Sequence, residues 1–210
     1  MNYFDVAFTP SVKAVQEQMG SRRAYVRFDA ADDKPVETPA SLTEREVQFI
    51  IQRDSLYMAS LGDTGWPYVQ HRGGPPGFVK VLGPHTLGFA DYRGNRQYVS
   101  LGNLAADDRA SLFFMDYPNQ RRLKVYGRMS GAELTDARAD ALLDPDYGAK
   151  VERVLLVEVQ AFDWNCPQHI TPRFTAAELQ PALLPLRARI AELEAEVARL
   201  RSAEASRAPV

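Results

Sequence analysis

What most limits this chain is a series of short apolar-rich runs, punctuated by turn residues, through its middle. Leu56–Leu61 is followed by a Gly62-Asp63-Thr64-Gly65 turn and by Trp66–Gln70. After the Gly73-Gly74-Pro75-Pro76 loop come Phe78–Leu82 and, beyond Gly83-Pro84, Leu87–Asp91. Ala110–Asp116, Leu123–Ser130 and Val154–Phe162 complete the series. Each run is of strand length and is bounded by glycine, proline or small polar residues. So many short strands with few helices point to a barrel or a sandwich. Closure into a barrel has the further merit of hiding strand edges. Two helices are expected between the strands, Gln97–Asn103 and Thr135–Leu143, the second facing Ala137, Ala141 and Leu142 inward. Ahead of them the capping box Thr43-Glu-Arg-Glu46 opens a helix to Gln52, with Val47, Ile50 and Ile51 as its inner face.

Within this series the run Gly77–Leu104 carries the strongest chemical signal. A strand bearing Lys80 breaks at Gly83-Pro84, and the next strand feeds Gly94-Asn95-Arg96-Gln97 and a helix start. A strand, a small polar turn and a helix start bring backbone N–H groups and a cation to one point, which is how proteins hold a phosphate. Arg96 adds a planar fork for phosphate oxygens, and Lys80 a point charge from the neighbouring strand. A hairpin with solvated basic residues matches the same spacing.

The run also resembles the FMN-binding core of the pyridoxamine 5′-phosphate oxidase-like family, the flavin split barrels. Lys80, then Phe89-Ala90-Asp91, then Gly94-Asn95-Arg96-Gln97 follow the family's order of lysine strand, aromatic-led strand end and Gly-Ser-Arg-Lys turn. Arg121-Arg-Leu-Lys-Val-Tyr-Gly-Arg128 resembles its later Arg-Gln-Val…Gly-Lys strand. The resemblance implies a mainly β chain with peripheral helices, a Greek-key split β-barrel over residues 45–172. Residues 1–44 are then an N-terminal arm, and residues 173–210 a C-terminal helix and disordered tail.

The family's site implies FMN as cofactor, with Lys80, Asn95, Arg96 and Gln97 at the phosphate end. Arg96 stands on the family's phosphate arginine. Gln97 replaces the usual lysine, so one charge is missing, for which Lys80 or Arg72 compensates. Phe78, Val79, Ala90 and Asp91 would border the isoalloxazine, although Phe78 and Val79 read equally well as barrel core. Arg122 stands where the family has a glutamine near the flavin. The segment after the last strand, from Asp163 to Arg173, is dense in polar side chains that need partners. In the family it closes the neighbouring subunit's pocket, which assigns Trp164, Asn165, Gln168 and His169 to that role in a homodimer. Cys166 reads better as a small buried residue than as a redox thiol. A Tyr-x3-Arg-x3-Ser pattern for a substrate phosphate is missing between Gly131 and Arg153, so the true oxidase's substrate does not carry over.

Composition narrows the remaining classes. A formal charge of −2 leaves no footprint for bulk nucleic-acid or membrane binding. The single cysteine excludes an intrachain disulfide and suits a reducing compartment, so a cytoplasmic protein is expected. No window approaches a membrane span in length. His71, His85 and His169 lie apart and no HExxH, CxxC or GxSxG motif occurs, so neither a metal site nor a nucleophile–base set is visible. Asp107-Asp108 and the Asp144/Asp146 pair read as turn and cap residues. No catalytic residue can be named.

Flavin chemistry fits this poverty, because the cofactor carries the electrons. The leading reading is an FMN-dependent oxidoreductase acting on a small organic molecule or NAD(P)H. A non-catalytic flavin or haem sensor is the alternative, with His71, His85 or His169 as axial ligand. An oligomeric scaffold is the third.

Both ends differ from the middle. Ser11–Met19 forms a short helix with Val12, Val15, Gln16 and Met19 on one face, before a Lys34–Pro39 stretch that crosses the surface. Thr175-Ala-Ala-Glu178 is a second capping box, but Pro181 and Pro185 argue against one unbroken helix from that point. Leu183, Leu186, Ile190, Leu193, Val197 and Leu200 alternate spacings of three and four, a seam of a little over two heptads. That seam packs either on its own barrel or on the same helix of a second subunit.

Overall fold

The computed structural model of the protein describes residues 2–28, 39–164 and 167–205. Most of the Lys34–Pro39 stretch, Asn165, Cys166 and the last residues of the tail lie outside the described residues. Two compact units result. One holds the residues up to Asp116 and Gln120–Ile170; the other holds Tyr117–Asn119 and the residues from Thr171 on.

The first unit begins with short helices, α1 (Tyr3–Ala7), α2 (Pro10–Gln18) and α3 (Arg22–Tyr25), then a 3-10 turn at Val26–Phe28. Asn2 and Asp5 cap α1 reciprocally, and Thr9 with Pro10 opens α2. On α2 the expected apolar face is open, with Val12, Val15 and Met19 all exposed. The rings do the packing here: Phe4 lies against Phe8 and Phe28, Phe8 against Tyr25, and Tyr3 stacks on Tyr126. Helix α4 (Glu44–Ile50) starts where its capping box requires, and buries Phe49 and Ile50.

Seven strands follow: β1 (Ser55–Leu61), β2 (Pro67–Gly73), β3 (Lys80–Gly83), β4 (Thr86–Tyr92), β5 (Arg109–Asp116), β6 (Arg121–Ala132) and β7 (Val151–Trp164). They form one sheet in the order β2-β1-β5-β6-β7-β4-β3, each pair antiparallel. The crossovers from β1 to β5 and from β4 to β7 give it a Greek-key character. β2 and β3 are left as edges, so the sheet is split rather than closed.

Period-two alternation sends Leu112 and Phe114 of β5 and Leu123 and Val125 of β6 into one core with Leu56, Met58, Phe78 and Phe89. In mid-β7, Val154–Val157 are buried in succession because two clusters claim them: Leu155 and Val157 join this core, Val154 and Leu156 a smaller one with Leu142. Gly127 is required at the register shift between β6 and β7. A Cβ there would stand 2.6 Å from Val157 Cγ1 and 2.9 Å from the Glu158 carbonyl oxygen.

Three expectations need correction. Thr135–Leu143 is not a helix but a chain of turns ending in a 3-10 turn at Asp140–Leu142. There the Asp136 carboxylate takes the Arg138 amide at 2.9 Å and its Nε at 2.8 Å, a local bond that competes with helix formation. Leu142 does face inward; Ala139 is buried with it, whereas Ala137 and Ala141 are exposed. The helix expected at Gln97–Asn103 is α5 (Val99–Ala106), displaced because Arg96 and Tyr98 hold positive φ of 62° and 53°. In the second unit, α6 runs unbroken over the thirty residues Ala176–Ala205, through Pro181 and Pro185. Thr175 and Glu178 cap it reciprocally, at 2.7 and 3.2 Å. The prolines are four residues apart, so both lost amides fall on one side, and propagation beyond Pro185 carries the helix.

Candidate functional site

A cavity of about 360 Å³ lies between the end of β2, the end of β4 and the turn that follows it. Its size is that of a small-molecule or cofactor site. β4 stops at Tyr92, and the Arg93 amide then donates to the Lys150 carbonyl at 2.8 Å, fixing the exit direction. Asn95 Oδ1 accepts from the Gln97 amide at 3.2 Å, closing a tight polar turn. Arg96 and Tyr98 occupy the left-handed region, uncommon for side chains of this size. These two residues swing the chain so that α5 starts on the cavity wall at Val99, Ser100 and Leu101. Ser100 is held there by its hydroxyl, 2.7 Å from Gln70 Oε1 on β2.

Charge is concentrated on the same wall. Arg72 ion-pairs with the buried Asp91, and Arg153 approaches Asp91 at 3.9 Å. Glu152 accepts from Arg93 Nε at 2.7 Å and from the Tyr98 hydroxyl at 3.0 Å. The bond from Arg93 pulls the Glu152 carboxyl below its ordinary range, against desolvation, with Tyr98 assisting. Arg153 stands 5.3 Å from the Tyr98 ring centre and 3.8 Å from Glu152. Arg96 is exposed and donates one long bond, 3.4 Å, to the Tyr98 hydroxyl, which raises its pKa further. Arg72 Nε is buried without a partner. Among the described residues that line the cavity, Arg72, Arg93 and Arg96 thus stand against Asp91 and Glu152, whose charge Arg153 draws on from outside the lining, an excess of positive charge with an unused donor.

Of the residues singled out in the sequence, Arg72, Phe78, Ala90, Asp91, Asn95, Arg96 and Gln97 line this cavity together. Val79 is fully buried in the core, and Lys80 opens edge strand β3 opposite Gly88; neither lines it. Arg122 lies on β6 opposite Met115, with a buried, unpartnered Nε. Trp164 ends β7 in a different setting. Its Nε1 donates to Glu46 Oε1 at 2.6 Å, Phe49 meets its ring edge-on at 4.7 Å, and Arg45 and Arg121 lie over it at 4.3 and 4.9 Å. Gln168 and His169 are exposed, the latter at φ 64°. His71 is on the cavity wall, whereas His85 Nδ1 lies 3.1 Å from the Ala40 carbonyl. Tyr98, Ser100 and Glu152 belong to the site without having been singled out. Tyr98 is one residue past the turn. Glu152 reaches it only through the pairing of β4 with β7, which brings Arg153 opposite Asp91.

The pyridoxamine 5′-phosphate oxidase family model matches residues 42–165. The chain belongs to this family. Its antiparallel seven-stranded sheet with peripheral helices is the family's split β-barrel, followed by the C-terminal helix. A comparison with curated protein sequences gave no match. Solved structures similar to it include an FMN-binding protein from Syntrophomonas wolfei, at 13% identity and TM-score 0.43, covering 71% of this chain and 97% of that one. A Clostridium acetobutylicum protein related to general stress protein 26 aligns at 12% identity and TM-score 0.44, over 66% and 99% of the two chains. The haem storage protein HutZ of Vibrio cholerae aligns at 14% identity and TM-score 0.40, over 60% and 94%. Among the described residues no group of His, Cys, Asp and Glu is arranged to hold a metal ion, and no helix is long and apolar enough to cross a membrane.

Proposed function

We propose that the protein is an FMN-dependent oxidoreductase that holds its cofactor in the cavity between β2, β4 and the Arg93–Tyr98 turn. The excess of guanidinium over carboxylate on that wall carries the reading, because a phosphate dianion supplies the charge that is lacking. The cavity volume fits, and the buried, unpartnered Arg72 Nε is a donor that a bound polar group would satisfy. Arg96, Asn95, Gln97 and the amides at the start of α5 would hold the phosphate. Phe78, Phe89 and Ala90 would offer an apolar wall to the ring system. FMN, when bound, supplies two-electron transfer with a small organic molecule or a nicotinamide. The protein's own part is to orient the cofactor, to keep water from its face, and to fix charge beside it.

In this reading the protein acts as a homodimer in the cytoplasm, and Gln168 and His169 complete the pocket of the other subunit. A mixed dimer tests that point. Subunits carrying Arg96→Ala and His169→Ala are combined, and one intact pocket per hybrid restores part of the flavin binding. No recovery in a verified hybrid overturns the shared pocket.

Acid release of the bound chromophore from purified protein tests the cofactor. A free flavin mononucleotide supports the reading, and reduction by nicotinamides or turnover with common acceptors then tests the reaction. Haem is the second candidate, since His71 lies on the same wall as an axial ligand in waiting. A Soret band lost in His71→Ala would favour it over flavin, and a colourless protein would remove both.

A further inference from the structure

Because α6 runs through both prolines, its apolar seam is longer than the heptads beyond Leu183. Leu179, Leu183, Leu186, Ile190, Leu193, Val197 and Leu200 keep the three-four spacing over one helix, and all seven are exposed. At 1.5 Å per residue the seam is about 32 Å long. Water is a poor neighbour for so continuous an apolar stripe. We propose that α6 pairs with α6 of a second copy as a parallel, in-register two-stranded coiled coil.

The choice of residues names the occupant. With Leu183 at a, the seam has Leu, Ile and Val at the a positions and only Leu at the d positions 179, 186, 193 and 200. β-Branched residues at a with Leu at d favour two parallel strands. Flanking charges agree. In that register Arg189 at g meets Glu194 at e of the other helix, and Glu196 at g meets its Arg201 at e. Two-fold symmetry repeats each attraction. Arg189 now pairs along its own helix with Glu192 at 2.9 Å, and Glu196 with Arg199 at 3.7 Å. Both pairs are solvent-exposed, so exchanging them costs little. Pro181 at f and Pro185 at c stand on the outer faces, where their missing amides leave the seam intact. The inference is independent of the cofactor reading.

Single cysteines placed in the full chain on a Cys166→Ser background decide the arrangement. In a parallel in-register pair like meets like at d, so Leu186→Cys and Leu200→Cys each form a disulfide-linked dimer under mild oxidation. Both should cross-link roughly tenfold or more faster than the outward control Ala195→Cys, through the higher effective concentration. Exposed-face charge reversal, Glu194→Arg with Glu196→Arg, should slow this cross-linking without unfolding the helix, as dichroism would verify. Adding Arg189→Glu and Arg201→Glu should restore it. Cross-linking at the control rate overturns the pairing. Efficient linkage only in mixtures of Leu183→Cys with Leu200→Cys overturns the parallel orientation.

Discussion

The arginines around Trp164 and those around Tyr98 keep similar company, an aromatic ring and a glutamate, yet the two clusters end differently. At Trp164 the indole N–H and both oxygens of Glu46 are engaged, by each other and by the Thr43 amide and hydroxyl. Arg45 and Arg121 cover the ring. At Tyr98 the carboxylates are outnumbered, Arg96 is open to solvent, Arg72 Nε is idle, and the turn holds two side chains at positive φ. Satisfied polar groups stabilise a fold; unsatisfied ones beside a cavity are kept for something that binds. The first cluster ties β7 to α4. The second is left incomplete by the chain itself.

Trp164→Ala is the change with the largest expected effect, and it acts on stability. It removes a large ring packed on Phe49 and leaves Glu46 without its indole donor. We expect a loss of about 3 kcal/mol in urea unfolding, with flavin affinity of the folded protein unchanged. The reverse result, intact stability with lost flavin, would break the comparison and move Trp164 into a pocket.

Arg96→Ala is the mirror experiment. Loss of a charge-assisted phosphate bond should cost about 1.5–3 kcal/mol, or roughly ten- to a hundredfold in FMN affinity by fluorescence titration. Stability should change by less than about 0.5 kcal/mol, since Arg96 is exposed. Arg128→Ala, which removes only an exposed pair with Asp108, serves as control and should leave affinity unaltered. Equal losses for both variants would withdraw the phosphate role from Arg96.

Tyr98→Phe sharpens the second cluster with a smaller effect. Its hydroxyl links Arg96 to Glu152, so its removal frees the guanidinium without deleting it. FMN affinity should fall by about 0.5–1.5 kcal/mol, the worth of one such bond. An unchanged titration would mean that the link does not position Arg96.

The unequal legibility of these clusters in the sequence has a physical basis. All seven strands could be read because short β-rich runs between Gly and Pro turns are local signals, and their pairing then follows from burial. The Asn95–Gln97 turn could be read for the same reason. The contacts of Glu152 with Tyr98 and of Glu46, legible only as a capping residue, with Trp164 could not: each carboxylate reaches its aromatic partner through long-range strand or helix placement that no spacing encodes. Thr135–Leu143 had helix-forming residues, but the Asp136 side chain offered the backbone a competing local bond. Pro181 and Pro185 misled in the other direction, since a proline's cost is fixed while a thirty-residue helix spreads it over many bonds.

The smallest expected effect separates the clusters by pH. Burial works to raise the Glu46 carboxyl, but the Thr43 hydroxyl, the Trp164 N–H and backbone amides outweigh it, so its pKa falls below the ordinary 4.5. A carboxyl lowered in the folded state binds protons more readily when unfolded. Its contribution is therefore complete above about pH 4.5 and drains away as pH falls through the lower folded value. Glu46→Gln keeps an acceptor for the indole but has nothing to titrate. At neutral pH it should be less stable than the parent by about 1 kcal/mol, and the gap should close on acidification. Urea midpoints of the two proteins, taken from neutral pH down into the acid range, give the comparison directly. A gap that stays constant with pH would show that the Trp164 cluster holds by packing alone, and that the carboxylate charge contributes nothing to it.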